Sequence, residues 1–102
     1  MRFSKSTRPG KKYMVVAPNG NTIHFGDSSS QQYKDTTGLG LYTHLNHNDE
    51  KRRASYLARA KGIRNKKGEL TWKDKNSANY YAIRWLWSGK FIHKFFYELI
   101  YN

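Results

Sequence analysis

The stretch THLNHNDEKRRASYLARA, residues 43–60, gathers the side chains with the most chemistry in them. His44 and His47 stand three apart. Asp49 and Glu50 follow, then Lys51, Arg52 and Arg53, then an apolar run. Two imidazoles at that spacing can share a metal ion, and Asp49, Glu50 or His24 could supply the third ligand such a site needs. Imidazole and Asn side chains can also bond the amides that a helix start leaves without partners. The second role is the one expected here: His44, His47 and Asp49 organise a helix entry, with no metal and no catalytic residue. The cations that follow offer a different chemistry. On a helix, Arg52 and Arg59 fall two turns apart on one side, with Lys51 adjoining, and such a row can bridge phosphates. The plainer alternative is a solvated face.

No other segment spells an enzyme. FGDSSS and TTGLG contain glycines but lack the order of a phosphate loop. Several serines are present and none is marked as a nucleophile. Nucleases of the His-Asn-His type activate water with a His beside a metal, and HLNHND superficially resembles them. The spacing between the first His and the metal-binding pair is too short, and no second pair follows. A metal-dependent nuclease is therefore the least favoured reading, and no cofactor or small-molecule substrate is expected.

Charge points to a partner. The 102 residues carry 19 Lys and Arg against 7 Asp and Glu, a formal net charge of +12. Such a balance opposes compaction by self-repulsion and suits a polyanion: nucleic acid first, an acidic protein surface second, an anionic membrane third. Aromatic residues make up 16%. Rings can stack on bases while cations hold phosphates, although a small domain also fills its core with rings. The chain has no cysteine, so disulfides and thiolate metal sites are excluded. Without a long apolar run or a signal-like start, the protein is expected to be soluble and intracellular, or packaged in a particle, and not membrane-bound.

The elements that must position these groups read as one small α+β domain over residues 13–102, preceded by a basic, flexible arm over 1–12. Arg2, Lys5, Arg8, Lys11 and Lys12 give the arm its charge. Residues 13–25 alternate as a β-hairpin about Asn19-Gly20. A short strand around 32–34, or a third strand over 41–45, would extend the hairpin to a small antiparallel sheet. Residues 48–61 form a helix with Asn48 as N-cap and Ala54, Leu57 and Ala58 facing inward. Lys51, Arg52, Ser55 and Arg59 fall opposite. Residues 63–74 are a basic linker bearing Lys66 and Lys67. A second helix over 77–87 is apolar nearly all round, placing Tyr81, Trp85 and Leu86 against Val15, Ile23 and Phe25. Tyr56 and Trp87 join the structural set. Phe91, Ile92, Phe95, Phe96, Leu99 and Ile100 recur with the period of a third helix.

The segments KKYMVVAPNGNTIHFGD, QQYKDTTGLGLYTHLNHNDEKRRASYLARA and NSANYYAIRWLW together resemble a family of small basic proteins of nucleocytoplasmic large DNA viruses, with relatives in some marine phages. The matching positions are Phe25, Gly26, Tyr33, Asp35, Thr37, His44, His47, Asp49, Arg53, Tyr56, Arg59, Leu86 and Trp87. The resemblance implies a viral origin and no assigned biochemistry. It places the protein in the virion or the infected cell. The expected function is non-enzymatic binding of the genome, DNA ahead of RNA, by Lys51, Arg52, Arg53, Arg59, Lys66 and Lys67, with the arm adding reach. The alternative is a minor capsid or cement protein, whose partners are capsid subunits.

Overall fold

A computed structural model describes residues 2–88, so the helix expected over 91–100 lies outside the described residues. Within them the chain is α+β, with a three-stranded antiparallel sheet in the order β1-β2-β3 and two α-helices. The strands are β1, Ser4–Lys5, β2, Lys11–Val16, and β3, Thr22–Asp27. The helices are α1, Glu50–Ala60, and α2, Ala78–Leu86.

The hairpin forms where alternation and turn chemistry agree. Tyr13 pairs with Phe25 and Val15 with Ile23. Tyr13, Val15 and Phe25 are buried on the face that meets α2. Asn19 and Gly20 close the turn; Gly20 has a φ of 88°, and its amide donates to the Ala17 carbonyl. The third strand does not come from residues 32–34 or 41–45. Residues Thr43–Leu45 make a 3-10 turn instead, and the added strand is β1, from the segment expected to be an arm. Phe3 is the reason. It is 9% exposed, and its ring meets Phe25 edge-on at 5.7 Å and Trp85 at 4.7 Å. One aromatic anchor draws a basic segment into the sheet.

Both helices begin with a side-chain cap. Ser77 accepts from the Asn79 amide. At α1 the cap is Asp49, not Asn48: Asp49 Oδ1 accepts from the amides of Lys51 and Arg52 at 2.9 and 3.2 Å. Asn48 serves the step before, with a φ of 54° that Asn tolerates and its amide bonded to the Tyr33 carbonyl. The inward stripe of α1 is also shifted by one position. Ala54 and Ala58 are exposed, while Arg53, Tyr56 and Leu57 are half-buried and Ala60 is buried. In α2, Tyr81 and Leu86 are buried and Trp85 half-buried in the cluster that holds Val15, Phe25 and, at its edge, Ile23.

Gly26 sets how closely α2 sits on the sheet. Its φ is 79°, and a Cβ there would meet Leu86 Cδ1 at 2.9 Å and Lys12 Cβ at 3.2 Å. This position near the end of β3 must therefore be glycine for Leu86 to close over it.

The anchoring of β1 has a direct consequence. Phe3→Ala should lower unfolding stability by about 3 kcal/mol, the low end of a buried Phe truncation. Replacing the exposed Arg2 and Lys5 by Gln should change it by no more than about 0.5 kcal/mol each. Urea unfolding of the three variants checks this; equal, small effects would mean that β1 carries no packing energy.

Candidate functional site

Between β3 and α1 lies an open groove of about 600 Å³. One wall is the outer side of α1: Lys51, Arg52, Ser55 and Arg59. The other is Asp27, Ser30 and Gln31. Ala82, Leu86 and Trp87 form the base, with Tyr56 beside them. Four of the cations singled out in the sequence therefore line one concavity: Lys51, Arg52 and Arg59 from α1, where positions 52, 55 and 59 recur at helical spacing, and Lys12 from β2, whose ammonium is turned to other partners. Arg52 is held in place by an Nη1 donation to Gln31 Oε1 at 2.8 Å.

The remaining candidates separate. Arg53 turns inward. Its Nε and Nη2 donate to the carbonyls of Trp87 and Ser88 at 2.9 and 3.1 Å, its Nη1 lies 3.5 Å from Glu50 Oε2, and its guanidinium lies 5.6 Å from the Tyr33 ring. It ties α1 to the end of α2, where carbonyls need donors, and is not presented as a phosphate contact. Lys66 and Lys67 sit at the exposed tip of a turn closed by the Arg64–Leu70 bridge, away from the groove lining. Arg2, Lys5 and Arg8 are exposed on β1 and the segments flanking it, and Lys11 is half-buried at the start of β2.

Lys12 departs most from its expected role. It is 1% exposed, and its ammonium donates to the Ser30 carbonyl and to Gln32 Oε1. Burial pulls its pKa below the ordinary lysine value, while Asp27 and Asp35 pull it back up. Gln32 in turn donates to the Tyr42 carbonyl and to Asn46 Oδ1, which also accepts from the Asp35 amide. Asp35 accepts from the Tyr13 hydroxyl, and burial with that bond pushes the Tyr13 phenol up to about 12. These side chains hold residues 30–46 on the sheet and thereby fix the Ser30–Gln31 wall. Nothing in the sequence marked Lys12 as buried, since a cation in a basic run reads as surface.

His47 and His44 divide as well. His47 Nδ1 accepts from the Asp49 amide at 2.9 Å, and its ring lies near Tyr33 and Trp87. Nε2 is buried with no hydrogen-bond partner. The ring thus sets the approach to α1 as a neutral acceptor. His44 is exposed and stacks on Tyr42 at 6.2 Å. Among the described residues no group of three or more His, Cys, Asp or Glu is placed to hold a metal ion. Tyr56 and Trp87 are stacked nearly parallel at 3.9 Å, bracing α1 against the end of α2.

Protonating Nδ1 would remove the acceptor that the Asp49 amide uses. Burial and Arg52 hold the His47 pKa below its usual 6.5, with Asp49 opposing them. The unfolded chain therefore takes up this proton first. The stability is present above that value and is lost as pH falls through the folded pKa. Unfolding stability should be lower at about pH 5.5 than at about pH 7.5, and His47→Gln should lack that part of the difference. Denaturation series at both pH values test this; identical profiles would remove His47 from the helix entry.

Residues 1–37 match a family of unknown function (DUF5754). The matched part spans the three strands and reaches Gln32 and Asp35, so it holds both partners of the Lys12–Gln32 and Tyr13–Asp35 bonds. No curated protein and no solved structure matches the chain.

Proposed function

We propose that the protein binds nucleic acid without chemistry, through the cationic side of α1. The observation that carries the reading is that, among the described residues, no carboxylate pairs with the cations along that side. Between described residues a single ion pair forms, Arg53 with Glu50, and it lies on the inward side of α1. Lys51, Arg52 and Arg59 converge on the groove, where Asp27 is the one carboxylate among the lining residues. Cations that no acid neutralises keep their field for an external polyanion. A duplex or single strand offers phosphates at regular spacing, and a row of three on one helix can follow them. The reading needs no metal and no cofactor.

Genomic DNA of a large DNA virus is the partner that the viral resemblance favours, in the virion or the infected cell. A role as a minor capsid or cement protein is the second reading, and the exposed basic edge formed by Arg2, Lys5 and Arg8 is what favours it. Salt separates the two, because phosphate contacts release condensed counterions and capsid contacts do not.

Arg52 and Arg59 replaced together by Gln should shrink the log–log dependence of affinity on salt by about two units, one for each phosphate left without its arginine. Sequence preference should not change, since phosphates carry no base identity. Lys66→Gln with Lys67→Gln should have a smaller effect. Fluorescence titrations at several salt concentrations measure this. A parental slope in the Arg52/Arg59 variant would move the polyanion surface off α1.

A further inference from the structure

We infer that the groove beside α1 takes an unpaired nucleotide, so that the protein prefers single-stranded nucleic acid to duplex. The inference rests on the nucleic-acid reading and adds the form of the strand. The groove differs in chemistry from rim to base. Its rim on the α1 side is cationic, with Lys51, Arg52 and Arg59; its base is apolar, with Ala82, Leu86 and Trp87, and Tyr56 is the half-buried ring beside them. Its volume of about 600 Å³ lies within the usual range for a cleft that encloses one small molecule. A flat cationic surface would serve a duplex as well. A recess with an apolar base serves a ligand that carries an anion and an apolar face together.

An unpaired nucleotide has both. Its phosphate lies outward and its base offers a face for apolar and aromatic contact. In a duplex the base faces are stacked on their neighbours, and only edges and phosphates reach a protein. The far wall gives a direction. The Asp27 carboxylate accepts from the Ser29 amide and hydroxyl, at 2.9 and 2.8 Å, which hold its pKa below the usual value. An ionised carboxylate there turns phosphates toward α1 and accepts from base or sugar donors. Lys12, the other charge in the lining, is spent on Ser30 and Gln32 beneath that wall. The recess is preformed: Tyr56 is stacked on Trp87, and Gln31 holds Arg52. A base enters it with little reordering.

The test uses the full chain, a labelled oligothymidine of about 12 nucleotides and a duplex of the same length. At one salt concentration the single strand should bind about tenfold more tightly, the weight of one base contact. Ser55→Leu and Gln31→Leu put bulk into the recess from exposed positions on opposite walls, and melting curves verify that each variant is folded. Each should bring the ratio of single-strand to duplex affinity down to about one; the ratio discounts what loss of the Gln31–Arg52 bond does to both ligands alike. Equal affinity for the two ligands, or a preference that survives both folded variants, overturns the inference while leaving the nucleic-acid reading in place. Binding of neither ligand overturns that reading itself.

Discussion

The buried ammonium of Lys12 is the constraint on which the rest of the structure depends. A charge with 1% exposure is costly unless its donors are met. Here the Ser30 carbonyl and the Gln32 amide oxygen accept from two of its three N–H groups. Those acceptors belong to a segment with no regular structure of its own. By binding them, Lys12 orders the path from the end of β3 toward α1, and Gln32 carries the order on to Tyr42 and Asn46. A polar network in a dry setting is favourable only when complete, so it specifies one path for the loop. Tyr13 and Asp35 repeat the device one position along β2. The segment that matches the family of unknown function contains both pairs.

The groove follows from that order. One wall is the loop that Lys12 fixes, and the other is a helix whose approach His47 and Asp49 set. Its base exists because Gly26 lets Leu86 close against the sheet. Arg53 then secures α1 to the last carbonyls of the α2 end, which leaves the neighbouring Lys51, Arg52 and Arg59 outward. The side chains read as chemistry in the sequence thus divide by helical phase. Those facing in hold the fold, and those facing out carry the charge.

The legible parts of the sequence were those in which local signals agree. The hairpin joins strand alternation to an Asn-Gly turn, and α2 joins a Ser cap to an apolar run. Strand β1 was illegible because its signal is one aromatic, Phe3, among basic residues, and its partner face lies in the hairpin and α2. The phase of α1 differs from the expected stripe because Ala54 and Ala58 are apolar but small, while Arg53 half-buries a long side chain that reads as polar. Asn48 and Asp49 both suit a cap, and only the backbone turn at Asn48 assigns the role to Asp49. At the groove, the row Lys51, Arg52 and Arg59 could be read from spacing alone. The opposite wall could not, since Asp27, Ser30 and Gln31 come to it through a loop held by a buried lysine.

The central claim is that the outward side of α1 and the Ser30–Gln31 wall together form the binding surface. Amide chemical shifts of the isotope-labelled chain, followed through a titration with single-stranded oligonucleotide, address it residue by residue. The account predicts saturable shifts at Ser30, Gln31, Lys51, Arg52, Ser55 and Arg59, with little change at Lys66 and Lys67. Shifts confined to the Lys66–Lys67 turn or to β1, with the groove silent, would contradict it.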